Sequence, residues 1–263
     1  MTLRRLSLFS VAIWISVCLV GRVTLFAGYP PYVIQYTVAQ AGSVASLTTP
    51  AINTTSGSVM VACLSNFGPT TPTTAMSDNK SNTWIIATRN NSTPSGAIFY
   101  CENCTGGSGH TFTFTPTGSS FIAVGVVEIG GARATGALNA ATNSNASVTT
   151  HHSGTVTATS TDDELMIGCG GVSYSNEGTP VVANGFFTIA ALADGSPEGL
   201  AFGYKRLAAS ATDEFIYNTT AGNNRNDVTS VASFLACVTG NCGNGTAPGG
   251  ATPTSWPFIG TVQ

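Results

Sequence analysis

The chain has 263 residues, of which only 8% are charged, and it contains 30 glycines and many threonine, serine and asparagine residues. Three of the nine basic residues lie before residue 29, so six basic and twelve acidic residues follow it and give that part a net charge of −6. Because no cluster of lysine or arginine could neutralise several phosphates, we expect no nucleic acid partner. About 210 residues lie between two atypical chain ends, which suits one large domain, predicted over residues 29–237.

The two ends of the chain have compositions of their own. Residues 1–28 place Arg4 and Arg5 before an apolar stretch, which is the pattern of a secretory signal peptide. The apolar run from residue 6 to residue 20 is shorter than the roughly 20 residues of a spanning helix. The cleavage position lacks a small residue, so an uncleaved membrane anchor is the alternative. Residues 238–263 are rich in glycine, proline and threonine and are interpreted as a tail.

Short runs of β-forming residues, separated by turn residues, occupy most of the chain between these ends. No stretch shows a sustained helical period with caps. The predicted strands are residues 32–38, 58–64, 74–77, 82–88, 96–101, 110–116, 120–131, 137–142, 147–150, 154–159, 165–172, 200–207, 214–218 and 228–237, with 185–192 either strand or helix. This spacing predicts an all-β fold, a two-sheet antiparallel β-sandwich that is jelly-roll-like, with about 12 to 14 strands.

Two of these runs indicate how many of their faces are covered. Residues 120–131 read SFIAVGVVEIGG and are apolar on both faces, which predicts an interior strand. Residues 110–116 read HTFTFTP and alternate strictly, so one face of that strand should meet water. Glu128 is the single charge in the interior run. We predict that Glu128 is a structural buried acid that accepts hydrogen bonds from backbone amides or hydroxyls near a strand end.

The turn between residues 77 and 82 carries Asp78, Asn79 and Lys80, residue types that suit tight turns, so we predict a β-hairpin there. The stretch from Asp78 to Trp84 invites comparison with the Asp-box hairpin of sialidase propellers, S-x-D-x-G-x-T-W. The spacing is one residue too long, and the glycine is missing. We therefore interpret Asp78 as a residue whose carboxylate caps backbone amides of the turn.

Six cysteines remain once Cys18 is removed with the signal, an even number that is typical of an oxidising compartment. The candidate disulfide pairs are Cys101–Cys104, Cys237–Cys242 and Cys63–Cys169. The first two pairs follow from close spacing. The last pair lies in two apolar strands, where a bridge between neighbouring strands and two free buried thiols are both open. A zinc site built from the four closely spaced cysteines is the less favoured interpretation for an exported chain.

Six segments carry a family resemblance: residues 58–62 (SVMVA), 76–84 (MSDNKSNTW), 97–100 (AIFY), 111–114 (TFTF), 126–131 (VVEIGG) and 162–168 (DDELMIG). In this order they resemble a widespread bacterial secreted β-sandwich module, found alone or beside Ig-like domains in large exported proteins. Its motifs are N-L-L-V-V-A, V-T-D-x-x-G-N-T-W, A-I-Y-Y, T-V-T-F, V-V-E-Y-S-G and A-D-E-L-L-V-G. The resemblance implies a jelly-roll-like surface module with an expected acid at Glu128, and no particular reaction. Ser81 replaces the turn glycine of the motif, and the cysteines suggest a variant of the module that is stabilised by disulfides.

Acidic residues near apolar strands define two further hypotheses. A glycoside hydrolase needs a pair of carboxylates, and the acids near apolar strands are Glu128, Asp162, Asp163 and Glu164. The hydrolase hypothesis uses Glu128 with Asp162 or Asp163. Nothing in the sequence brings these side chains together. Calcium binding is the second hypothesis, because loop carboxylates hold this ion in many jelly-roll modules. The candidate calcium ligands are Asp162, Asp163, Asp194 and Asp227.

Aromatic and histidine side chains supply the remaining candidates. Exposed aromatic rings stack on sugars in glycan-binding sandwiches. The candidate glycan-stacking residues are Trp84, Tyr100, Tyr204 and Tyr217, with Phe186 and Phe187 also considered. At alternating strand positions such rings more often belong to a core. The histidines (His110, His151 and His152) form no recognisable catalytic motif with a nucleophile.

These observations together predict a protein that is secreted or displayed on the cell surface. We expect a structural or adhesive β-sandwich module without catalytic activity, with no cofactor, or calcium alone. Its partners would be glycans or other surface proteins, and a membrane would be contacted only through an uncleaved N-terminal segment. The alternative is a carbohydrate-binding module, assisted by calcium, and a glycoside hydrolase is the third hypothesis.

Overall fold

The fold is all-β, as predicted. A computed structural model describes residues 30–67, 75–92, 95–159, 161–172, 178–193, 198–220, 227–237 and 242. The predicted signal segment, most of the predicted tail and Asp194 lie outside these residues. The described residues contain 18 strands, which exceeds the expected 12 to 14 because short strands such as those at residues 47–48, 52–54 and 181–182 were not predicted. Among them no helix is long and apolar enough to cross a membrane.

The strands fall into two consecutive groups along the chain. The first group is β1 (Tyr32–Val44), β2 (Leu47–Thr48), β3 (Ile52–Thr54), β4 (Val59–Phe67), β5 (Ala75–Asp78), β6 (Ile85–Asn90), β7 (Ser95–Cys101), β8 (Gly107–His110), β9 (Phe112–Thr115) and β10 (Ser120–Gly130). The second group is β11 (Leu138–Ala146), β12 (Thr150–Thr157), β13 (Glu164–Val172), β14 (Val181–Val182), β15 (Phe187–Leu192), β16 (Gly199–Leu207), β17 (Thr212–Asn218) and β18 (Asp227–Leu235). We call them the first unit and the second unit.

The two units have the same strand topology. The first unit forms a five-stranded sheet in the order β1-β10-β4-β7-β6 and a three-stranded sheet in the order β2-β9-β5. The second unit forms β11-β18-β13-β16-β15 and β12-β17-β14, which is the same arrangement with β3 and β8 left out. Eight antiparallel strands in two sheets with these crossovers make a jelly roll. The molecule is therefore a tandem repeat of one jelly-roll unit.

The correspondence extends to irregularities within the strands. The ladder of β1 on β10 shifts between Val33 and Gln35, and the ladder of β11 on β18 shifts between Leu138 and Ala140, at the equivalent place. The ladders of β6 on β7 and of β15 on β16 also share one shift position. Counting ladder positions from Cys63 in the first unit and Cys169 in the second gives a residue-by-residue equivalence. Tyr100 thus corresponds to Tyr204.

The units pack through their five-stranded sheets. β4 lies against β13, β7 against β18 and β10 against β16, so the strand order reverses from one sheet to the other. Equivalent residues meet at the centre, where Cys63 is bonded to Cys169 with 5.4 Å between their Cα atoms. A Cβ atom on Gly171 would lie 2.6 Å from the Ser65 hydroxyl. This pattern is that of a pseudo-twofold axis running along the strands between the two sheets.

Three core layers result from this stacking. A central core lies between the five-stranded sheets, and an outer core lies beneath the three-stranded sheet of each unit. In β10, Ala123 and Val127 face the central core, whereas Val124 and Val126 face the outer core of the first unit. The apolar run is two-sided for this reason. In β9, Phe112 and Phe114 are buried in the same outer core, and the intervening threonine faces outward, as the alternation predicted.

The Asp78 turn is not a hairpin, and that prediction was wrong. β5 pairs with β9 in the three-stranded sheet, whereas β6 pairs with β7 in the five-stranded sheet. The turn is thus a corner that carries the chain between layers, and local turn chemistry does not distinguish a corner from a hairpin.

Both ends of the described domain meet at another turn. The Cys237 amide donates to the Gly131 carbonyl at 2.8 Å, and a Cβ on Gly131 would lie 3.1 Å from the Pro30 carbonyl.

Candidate functional site

Glu128 is 1% exposed and lies near the end of β10 with its side chain toward the outer layer. One carboxylate oxygen accepts from the Thr55 backbone amide at 2.7 Å, and the other accepts from the Gln35 side-chain amide at 2.6 Å. Glu128 thus fixes the segment that leads into β4 against the first strand of the unit. The predicted bond to a backbone amide near a strand end is present, and the second donor is an amide side chain rather than a hydroxyl.

Glu164 and Glu102 do comparable work that the sequence did not reveal. Glu164, fully buried, accepts from the Thr159 amide at 2.7 Å and from the Asn139 side chain at 3.0 Å. Asn139 occupies the shifted position of β11. Glu102 accepts from the backbone amides of residues 136 and 137 at 3.0 and 2.6 Å, in the segment that joins the two units. Each carboxylate therefore stabilises a loop by binding main-chain donors.

Asp78 organises the corner after β5 through its own hydrogen bonds. Its carboxylate accepts from the backbone amides of Lys80 and Asn82 at 2.8 and 3.1 Å, and from the Trp84 indole at 2.8 Å. Burial pushes the Asp78 pKa upward, but these hydrogen bonds outweigh it and leave the pKa below its ordinary value. Trp84 then packs edge-on against Phe112 at 5.9 Å. The structure supports the interpretation of Asp78 as a turn cap.

A buried histidine adjoins this corner. The His110 ring packs against Phe112, tilted by 30° with 4.2 Å between the ring centroids. One ring nitrogen lies 2.7 Å from the Thr54 hydroxyl, and the other lies 3.5 Å from Asp78. Burial lowers the pKa of His110 below 6.5, and the neighbouring Asp78 only partly opposes that effect. A neutral ring that is 0% exposed serves as packing and as a hydrogen-bond partner.

The adjacent histidines at the start of β12 have opposite environments. His151 is 1% exposed, stacks on Tyr217 at 4.5 Å and lies 3.4 Å from Asp227. Burial lowers its pKa in spite of that aspartate. His152 is exposed and pairs with Glu214 at 3.1 Å. Since alternate strand residues face opposite sides, the two histidines cannot act on one ligand.

The acids proposed for hydrolysis and for calcium are engaged separately. Asp162 pairs with Arg133 at 2.7 Å, and Asp163 pairs with Arg206. The hydrogen bonds of Glu128 run to Gln35 and Thr55 instead, so the structure does not join it to either aspartate. Asp227 is buried beside His151. Within the described ranges no group of three or more histidine, cysteine or acidic side chains is placed to hold a metal ion.

The three candidate cysteine pairs are joined in the structure, as Cys63–Cys169, Cys101–Cys104 and Cys237–Cys242. Of the two possibilities left open for Cys63 and Cys169, the structure shows the bridge. The Cys63–Cys169 bridge links facing sheets rather than neighbouring strands. Strand pairing places these residues in different sheets. The apolar pattern of a strand does not show whether another strand is its neighbour in one sheet or faces it from a second sheet.

The predicted stacking aromatics divide by exposure. Tyr217 is 0% exposed and donates its hydroxyl to the Gly171 carbonyl, so its ring offers no face to a sugar and it leaves the set of candidates. Tyr100 is buried against Phe234. Trp84 and Tyr204 are half-buried. Phe187, at 61% exposure, stacks on Tyr204 with 5.3 Å between ring centroids, and it is the most exposed of the exposed large hydrophobic residues in the described ranges.

Fold and buried groups together define the class: a disulfide-linked tandem of jelly-roll units whose buried acids and histidines contact other groups of the protein itself. Comparison of the chain with protein-family models, with curated proteins and with solved structures finds no match.

Proposed function

We propose that this protein is a secreted or cell-surface structural or adhesive module without catalytic activity. The observation that carries the proposal is the use of three carboxylates, two of them buried and one partly buried. Glu128, Glu164 and Glu102 each accept a backbone amide of a connecting segment, which stabilises the scaffold and leaves their oxygens occupied. The sequence resemblance to a bacterial exported surface module points in the same direction.

The cysteine pairs and the N-terminal segment support an extracellular location. Three disulfides suit an oxidising compartment, and a long-range bridge across the sandwich suits a protein that must persist outside the cell. A low content of charged residues gives a neutral, hydroxyl-rich surface.

Cell fractionation tests this proposal directly. We expect the intact protein in the medium or at the cell surface with all six cysteines oxidised, and a variant without residues 1–28 in the cytosol with reactive thiols. Cells that lack the gene should lose adhesion or surface integrity, which the wild-type gene restores. Cytosolic protein with reduced cysteines, or hydrolysis of a glycan that depends on Glu128, would contradict the proposal.

Carbohydrate binding is the second candidate function, and one observation favours it. The Phe187 ring rests with one face on Tyr204 and is 61% exposed, a geometry that could receive a sugar ring on the other face. A glycan array tests this with Phe187→Ala, and with Ile85→Ala as the matched control at the equivalent position of the first unit. Binding that Phe187→Ala alone abolishes would support a glycan site, and a chelator would show whether calcium assists it.

A further inference from the structure

The pseudo-twofold arrangement gives the molecule two lateral rims, and they differ in chemistry. One rim lies between the edge strands β6 and β11, and we call it the closed rim. There the Asn143 side chain donates to the Thr88 hydroxyl at 2.6 Å and accepts from Asn90 at 3.0 Å. These bonds connect the two five-stranded sheets across their border.

The opposite rim, between β1 and β15, has no such connection. The residues equivalent to Asn143, Thr88 and Asn90 are Val38, Ala190 and Leu192. None of the three can donate or accept a side-chain hydrogen bond. All three are partly exposed, and Phe187 is exposed on the same edge strand. We call this apolar border the open rim.

β1 is an unusual edge strand. It has 13 residues, YVIQYTVAQAGSV, with no charged residue and no proline. Proteins ordinarily protect such an edge with lysine, proline or a short strand, because its unpaired backbone groups can bind another chain. β1 pairs with β10 alone, and in the described part of the chain no other segment hydrogen-bonds the main chain of residues 33–44. Gln35 and Thr37 reach residues 53 and 50 through side chains, which leaves the edge itself unpaired.

We propose that β1 binds β1 of a second copy of this chain, antiparallel, so that two five-stranded sheets become one ten-stranded sheet. Two identical strands related by a twofold axis always present matching ladders, and this pair brings no like charges together. β1 is also rich in residues that favour strands, such as Val33, Tyr36 and Val38. The chain's own tail is a poorer occupant, because Pro257 interrupts its apolar segment.

The test compares one substitution at equivalent positions of the two units. Gln40 on β1 and Asn145 on β11 occupy equivalent positions, and both are at least partly exposed. Neither side chain forms a hydrogen bond within the described part of the chain. Sedimentation velocity over a wide concentration range should show a reversible wild-type dimer. Gln40→Lys should weaken dimerisation at least tenfold by placing two ammonium groups at the new ladder, whereas Asn145→Lys, which adds the same charge, should leave it unchanged.

Hydrogen exchange supplies the second measurement. We expect amides of β1 to gain protection as protein concentration rises, and to lose that gain in Gln40→Lys, with unfolding midpoints that confirm both variants fold. A wild-type monomer at every concentration would overturn the proposal. So would protection of β1 that is independent of concentration, which would assign the edge to the chain's own tail. An exported, oxidised monomer would refute this assembly alone and leave the proposed structural role intact.

Discussion

At the scale of single residues, this protein uses buried carboxylates to hold connecting segments in place by hydrogen bonds. Glu128 and Glu164 are almost completely buried, and each accepts one backbone amide and one side-chain amide. The donors belong to equivalent regions of the two units, although the acids stand on different strands. A buried acid is costly unless its oxygens are satisfied, and here a loop amide and a side-chain amide of the unit's first strand satisfy them.

Replacing Glu128 with glutamine should destabilise the protein without changing its shape. The new amide group would face a donor, Thr55 or Gln35, so one hydrogen bond is lost and one buried donor is left unpaired. We expect a loss of about 1 to 3 kcal/mol in the free energy of unfolding, measured by urea denaturation. Glu214→Gln, at a half-buried site beside exposed His152, is the control and should change stability much less. Equal losses in both variants would argue against a stabilising role of the hydrogen bonds that Glu128 accepts.

The two buried histidines should make stability depend on pH below neutrality. Burial lowers the pKa of His110 and His151 from 6.5, so the unfolded chain takes up protons at a pH where the folded protein does not. Stability should therefore be constant above this range and fall as pH drops through 6.5 and below. Asp78, whose pKa is lowered from 3.8, should add a second loss at more acidic pH.

Urea titrations across this pH range measure the effect. His151→Gln should flatten part of the decline, whereas Asn145→Gln, at an exposed position of β11 that carries no titratable group, should leave the slope unchanged. An unaltered slope in His151→Gln would assign the pH dependence to other groups.

At the scale of elements, the interior strands are shaped by the rings that cross them. A Cβ on Gly168 of β13 would lie 2.1 Å from the Phe215 ring, and one on Gly170 would lie 2.3 Å from Tyr217. The equivalent residues of the first unit are Ala62 and Leu64, both of which are buried in its outer core. Glycine in this strand is therefore a packing requirement rather than a turn signal.

Gly168→Ala should consequently cost stability through overpacking. We expect a loss of about 1 to 3 kcal/mol, since the Phe215 ring must move within a filled outer core. Adding Phe215→Leu should recover part of the loss, because the shorter side chain leaves room for the methyl group. Unfolding midpoints of the single and double variants decide this, and the absence of any recovery would contradict the packing explanation.

At the scale of the whole molecule, the two jelly rolls share one central core and one long-range bridge. The facing sheets contribute buried residues from both units, and Cys63 and Cys169 connect them across 106 residues of sequence. Neither five-stranded sheet could expose its inner face to water without losing this core. If residues 29–237 form a single domain, as predicted, the two units should therefore unfold cooperatively.

Thermal unfolding should show one transition, with calorimetric and van't Hoff enthalpies in agreement. Removing the central bridge with Cys63→Ala and Cys169→Ala should cost about 4 to 5 kcal/mol, because the bridge closes a long loop in the unfolded chain. The matched control, Cys237→Ala with Cys242→Ala, closes a short loop and should cost about 2 kcal/mol. Two separate transitions in the wild-type protein would show that the units fold independently.

The sequence by itself determined the class of fold and the faces of its strands. Alternation identified the one-sided strand around Phe112 and the two-sided strand that carries Glu128, because side-chain period is a local property of an extended chain. Cysteine spacing identified the close pairs. The position of Glu128 within an apolar run also predicted that this acid is buried and hydrogen-bonded.

Only the tertiary structure decided what covers each face. The repeat is nearly invisible in sequence, since equivalent strands share few identical residues, such as Met60 with Met166 and Tyr100 with Tyr204. Burial of Tyr217 and the layer change at Asp78 depend on pairing partners far away in the chain, which no local pattern encodes. The open rim likewise became visible only when Val38 could be compared with Asn143 across the pseudo-twofold axis.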